Sequence, residues 1–233
     1  MIVVKKRKYL KGKTTNGPTG YMGQGVRIFP NVTIGSNVFV DDNVTIGYPN
    51  EGEFETFKAD LQSGLHVRIE DYVKSPTVIG DNSIIRSGTV ICSGTKTGPY
   101  LDCDHGVFVG GKNSIGEDVM IQYKGMIYNN NRIGDEVTIS GFVCNSCVIG
   151  NKVAMHGSLV HDYDRPVKVI PEPSPIIRSG ATVGMHAVVI GKVVIGRNAY
   201  VAAGAVVRTN VRSGYLVAGV PAHEKGKWAK KVV

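Results

Sequence analysis

The chain has 233 residues, a net charge of +8 and 42% apolar residues, enough for one or two domains and with no apolar run long enough to span a bilayer. Aromatics make up only 7% and no nucleic-acid-binding module is visible, so the positive charge points to phosphate-bearing small molecules rather than DNA or RNA. Cys92, Cys103, Cys144 and Cys147 form no disulfide-like framework, which fits a reduced cytoplasm, and the lone Cys144-x-x-Cys147 lacks the second pair of a structural zinc site.

Residues 1–27 carry no repeat and are rich in glycine; they read as an N-terminal cap. The opening MIVVKKRKYLKGK puts its basic residues behind a very short apolar start, the wrong order for a secretory signal. From Ile28 an aliphatic residue returns every sixth position, through Ile34, Val40 and Ile46. The rhythm stops over 48–78, a charged excursion in which Phe54, Phe57, Leu61, Leu65 and Val67 predict a short helix followed by a strand-like piece.

The long regular stretch follows. Ile79, Ile85, Ile91, Thr97, Cys103, Val109, Ile115, Ile121, Ile127, Ile133 and Ile139 are each six apart. Neither the helical period nor the two-residue period of a strand produces that spacing; a short fixed period marks a repeat, and a period of six marks a parallel β-helix. Three hexapeptides make one triangular coil. The aliphatic residues point inward and stack on their equivalents in the coils above and below, about 4.8 Å away. Gly80-Asp81-Asn82 and Gly134-Asp135-Glu136 fall at corners, which demand unusual backbone angles.

After Ile139 the six-step slips, failing at Asn145 and resuming at Ile149; Met155 and His161 follow in the new register. A second excursion, rich in proline and charge, covers 162–175. The repeat returns at Ile177 and runs through Val183, Val189, Ile195, Val201 and Val207, and SGYLVAGVPA (213–222) closes the coils. The expected organisation is thus an all-β solenoid over 28–222 with two excursions, followed by a tail (223–233) that reads as a short helix or exposed arm.

The block 176–222, with Ala202-Ala203-Gly204-Ala205 and the closing Ala218-Gly219-Val220-Pro221-Ala222, resembles the C-terminal coils of the hexapeptide acyltransferases. The resemblance implies a left-handed β-helix, a homotrimer, and transfer of an acyl group from coenzyme A or acyl carrier protein to an amine or hydroxyl. In that family the pantetheine arm lies along the closing coils between subunits. Carried over, this implicates Gly184, Met185, Ala202, Ala203 and Arg208 along the groove, with Lys192, Arg197 and Arg212 for the phosphates.

Acyl transfer needs a base for the acceptor proton and donors for the oxyanion, and histidine suits the first role at neutral pH. His105 stands in Cys103-Asp104-His105-Gly106-Val107-Phe108-Val109-Gly110, which resembles the hexapeptide carrying the base in acyltransferases acting on nucleotide sugars; Gly106 departs from the acidic or amide residue frequent there. Asp104 is placed to orient it or to touch substrate. His161, just before the second excursion, resembles the base of sugar and antibiotic O-acetyltransferases of this fold, although it occupies an inward slot. His156 faces outward as a substrate contact, with Asp162, Tyr163 and Arg165 as further acceptor contacts from the excursion. His186 reads as a surface residue, and His66 and His223 have no motif.

The expected activity is an acetyl-CoA-dependent N-acetyltransferase on a nucleotide-linked amino sugar, cytoplasmic, with no metal, no nucleic acid and no membrane partner. O-acetylation of a sugar or small molecule is the alternative. The spacing His156-x4-His161, with His105 as a third ligand, also matches the zinc-dependent carbonic anhydrases of this fold. A solenoid scaffold without catalysis is the remaining class.

Overall fold

The computed structural model describes residues 20–162 and 173–228. They form a parallel β-helix with three faces: face A has eleven strands, face B nine and face C eight, and the chain visits them in the order A, B, C. All eleven aliphatic-slot residues from Ile79 to Ile139 are buried, including Thr97 and Cys103. Each lies opposite its counterpart one coil away, as in Ile85–Cys103–Ile121–Ile139 on face A. The period follows from this stacking: only a strict repeat brings an apolar side chain to every inward position.

The corners obey the same beat. Between Asn82 and Glu136 the left-handed backbone region recurs every six residues, at Asn82, Gly88, Gly94, Tyr100, Gly106, Lys112, Asp118, Lys124, Asn130 and Glu136. Gly80 is small for a different reason: a Cβ there would lie 2.1 Å from the carbonyl oxygen of Gly98 in the next coil. Polar residues inside the prism form ladders of their own. Asn113 donates to the carbonyls of Gly110 and Tyr128, while its oxygen accepts the Asn131 amide. Asn131 does the same for the Cys147 amide one coil on. Buried amides arranged this way leave few groups unsatisfied.

The slip is a change of corner length. Ile121 pairs with Ile139, eighteen residues on, but Ile139 pairs with Met155 and Val143 with Leu159, each sixteen on. The turns between faces A and B at Ser140-Gly141 and His156-Gly157 are therefore two residues long, where the other A–B turns, such as 104–107 and 184–187, have four. Leu159, not His161, takes the inward slot after Met155 and is fully buried; His161 is half-buried beyond the strand Ser158–Val160. The short turns require glycine, because a Cβ on Gly141 would sit 1.8 Å from the carbonyl oxygen of Gly157.

Both excursions leave from the edge between faces B and C. The first contains α1 (Glu51–Gln62) and then a 3-10 turn, Ile69–Tyr72, where a strand-like piece was expected. Asn50 caps α1 and Glu53 completes a capping box. Glu53 also fastens the excursion to the coils: its carboxylate accepts the Ser93 hydroxyl and the amides of Lys74 and Ser75. Phe29, Tyr48, Phe54, Phe57 and Tyr72 form a continuous line of ring contacts, 5.5 to 6.2 Å between centroids, from coil to helix. At the far end the tail is a strand. His223–Lys227 pairs antiparallel with Tyr215–Ala218, and Trp228 stacks on Tyr200 at 4.3 Å, covering the open edge of face A. No helix among the described residues is long and apolar enough to cross a membrane.

Two predictions concern stability. Gly141→Ala forces backbone apart between two coils and should cost about 1–3 kcal/mol in denaturant unfolding. Gly52→Ala, whose nearest neighbour would be a side-chain oxygen at 3.6 Å, should cost nothing. For Glu53, burial pushes the carboxyl up, but hydrogen bonds from Ser93, Ser75, Lys74 and Asn50 outweigh it and hold it below its ordinary value of 4.5. A carboxyl depressed in the folded state stabilises fully above its unfolded value, and that contribution is lost as pH falls through the folded value. Glu53→Gln should therefore melt lower than the parent at pH 7, and the two melting curves should converge in strong acid.

Candidate active site

The two short turns cut a notch into the A–B edge. It encloses about 500 Å³ and is lined by Asp104, Gln122 and Tyr123 from above, by Ser140 and the His156-Gly157 turn at its floor, and by Met185 and His186 from below. Four-residue turns project on either side of two-residue turns, so the cavity is the missing volume of two corners. Its walls carry a carboxylate, an amide, three hydroxyl-bearing side chains (Tyr123, Ser140 and Ser158) and two imidazoles.

At the floor, His156 Nδ1 lies 2.7 Å from Ser140 Oγ. The backbone of each is pinned to the next coil, Ser140 N–H to Met155 O at 2.9 Å and His156 N–H to Val183 O at 2.8 Å. With Nδ1 engaged, Nε2 is the nitrogen left for chemistry. The amides of Gly141 and Gly157 donate to no carbonyl among the described residues. A histidine nitrogen beside two such N–H groups is the equipment of acyl transfer.

His105 lies on the same edge, above the notch. Its side chain is 52% exposed, and Ser87 Oγ sits 2.8 Å from its Nδ1. Asp104 reaches into the notch but does not orient His105 as an Asp–His pair: its Oδ1 accepts the His105 amide at 2.8 Å and stays 3.9 Å from Nε2. Gly184, Met185, Ala202 and Ala203, the expected groove for the pantetheine arm, continue the A–B edge directly below. Met185 is 57% exposed, and Gly184 is buried where a Cβ would meet the Ala203 amide at 2.6 Å.

The other candidates lie elsewhere. His161 and Asp162 are on the B–C edge, where Arg208 Nη2 binds both oxygens of Asp162 at 3.0 and 3.1 Å. Arg208 is thus paired with an expected acceptor contact, on a different edge from Gly184 and Ala202. Lys192 also belongs to the B–C edge, and Arg197 and Arg212 to the C–A edge; Arg212 stacks on Tyr215 and binds Glu224. Tyr163 and Arg165 lie outside the described residues. The three histidines of a zinc site do not converge, because the turn His156-Gly157 leads into the face-B strand Ser158–Val160, which carries the chain to the B–C edge before His161. Among the described residues no cluster of three His, Cys, Asp or Glu could hold a metal ion. The Cys92 thiol is pushed up to about 12 by burial, and burial pushes Cys103 up as well, which makes both unreactive.

Ser140, Gly141 and Gly157 are the site residues that motif reading misses, and His156 enters it only as a contact. The signal for all four is the pair of sixteen-residue coils.

Comparison with known proteins agrees with this architecture. Residues 174–209 match the family model described as bacterial transferase hexapeptide (six repeats). The bifunctional protein GlmU of Brevibacillus brevis is 25% identical over 215 residues, covering 92% of this chain and 35% of that protein. The bifunctional protein GlmU of Streptococcus equi subsp. zooepidemicus is 27% identical over 224 residues, covering 93% and 43%. The chain therefore spans less than half the length of these curated relatives. Among solved structures, a UDP-N-acetylglucosamine acyltransferase from Campylobacter jejuni shares the fold, with a TM-score of 0.54 at 13% identity over 87% of this chain and 73% of that one. The chain is a left-handed parallel β-helix that shares its fold with that acyltransferase, and its residues 174–209 match transferase hexapeptide repeats.

Proposed function

We propose that the chain is an acyl-CoA-dependent acyltransferase, acetyl-CoA being the first donor to test, that acylates the amino group of a nucleotide-linked amino sugar in the cytoplasm. The observation that carries the reading is the notch, whose lining holds His156 together with Gly141 and Gly157, two residues whose amides donate to no carbonyl among the described residues. Similarity to a UDP-N-acetylglucosamine acyltransferase in fold supports a nucleotide-sugar acceptor. The Asp104 carboxylate among the lining residues supports an amine over a hydroxyl, since an amine arrives as a cation.

In this mechanism the acceptor ammonium first loses one proton to solvent, and the neutral nitrogen then attacks the thioester carbonyl while His156 Nε2 takes a second proton from it. The amides of Gly141 and Gly157 hold the tetrahedral oxyanion. Collapse breaks the C–S bond, and the imidazolium returns the proton to the departing thiolate, leaving an amide and free coenzyme A. Gly184, Ala202 and Ala203 keep the edge below the notch low, so that the pantetheine arm can lie against the backbone. A homotrimer would close the notch against a neighbouring subunit. His105 and His161 stand as the two other candidate bases, one exposed above the notch and one on the B–C edge.

Thioester cleavage measured against a panel of nucleotide amino sugars tests the reading. The parent should release coenzyme A with at least one of them. His156→Ala should lose about 10²–10⁴-fold in kcat, while His105→Ala and His161→Ala should lose far less. A folded His156→Ala protein with full activity, beside an inactive His105→Ala or His161→Ala, would move the base to that residue.

A further inference from the structure

We propose that Ser140 is a positioning residue for His156, resting on the acyl-transfer reading above: its hydroxyl oxygen accepts the Nδ1 proton and so leaves Nε2 as the basic nitrogen in the notch. Residues 140 and 156 occupy the same position in successive short coils, since Ile139 is the ladder partner of Met155. The stacking that builds the β-helix therefore sets one side chain directly over the other, and the 2.7 Å contact between Ser140 Oγ and His156 Nδ1 follows. The same arrangement recurs higher on the edge, where Ser87 and His105 stand one eighteen-residue coil apart with Oγ and Nδ1 at 2.8 Å.

A neutral imidazole has one proton for two nitrogens, and which nitrogen keeps it is set by the partner of the other. A hydroxyl can play either part. If Ser140 accepts, Nε2 has a free lone pair and can take the acceptor's proton. If Ser140 donated, the proton would sit on Nε2 and His156 could not act as base. The contact also restrains the ring about its χ angles within the lining of the notch. The partner is an uncharged hydroxyl, so Ser140 supplies orientation and tautomer, not a counter-charge.

Two readouts test this on the full-length chain. In ¹⁵N NMR of the imidazole at a pH where His156 is neutral, the parent should show Nδ1 protonated and Nε2 bare. Ser140→Ala should show a mixture of tautomers, and Ser140→Thr, which keeps the oxygen, should restore the parent pattern. In thioester assays Ser140→Ala should lose about 10- to 100-fold in kcat with KM nearly unchanged, and Ser140→Thr should recover most of it. A Ser140→Ala protein with parental tautomer and kcat would overturn the proposal while leaving His156 as base if His156→Ala is dead, and an Nε2-protonated parent would overturn both. A fully active His156→Ala protein would overturn the base itself, and Ser140's role with it.

Discussion

Every feature of this molecule depends on coil-to-coil register. An inward side chain is buried only if its counterparts above and below are also inward, so each coil inherits its phase from its neighbours. Residues can be added or removed only at corners, and only where the chain re-enters the next face in phase. The protein uses this freedom three ways: eighteen-residue coils over most of the length, sixteen-residue coils near the middle and again at the C-terminal end, where Val201 pairs with Val217, and two long excursions on the B–C edge.

Shortening a corner has a chemical consequence that lengthening it does not. A two-residue turn removes the projecting tip, exposes the backbone beneath it and makes glycine obligatory where coils would otherwise collide. Two short turns in succession double the gap. The A–B edge thereby gains a concavity lined by imidazole, hydroxyl and carboxylate side chains and by Gly141 and Gly157. The small residues Gly184, Ala202 and Ala203 lie on that same edge, so the proposed path of the thioester and the proposed base share a single line of the prism.

The rhythm from Ile79 to Ile139 is legible in the sequence, because ten equal steps admit no other period. The break after Ile139 was legible too, but its location was not. In the regular repeat the fourth residue after an inward slot is also apolar and inward, as at Val107, Val119 and Val137. Removing two residues from a corner turns that fourth position into the next slot. Val143 and Leu159 then look like ordinary fourth residues, and the side-chain alternation shows no fault because the deletion is even-numbered. His161 was assigned an inward slot by that route. His156 was visible as outward-facing, but its meeting with Ser140 required knowing that the intervening coil has sixteen residues. The tail misled for another reason: HEKGK has no strand pattern, and its pairing depends on the unfilled edge left by Tyr215–Ala218 rather than on its own residues.

Acyl transfer is proposed at the notch on the A–B edge, with His156 beneath the reacting carbonyl. The most direct test is a structure of the protein with coenzyme A bound. The account predicts the pantetheine arm along Gly184, Ala202 and Ala203, with its sulfur in the notch beside His156. A sulfur found on the B–C edge, next to His161 and the Asp162–Arg208 pair, would contradict it.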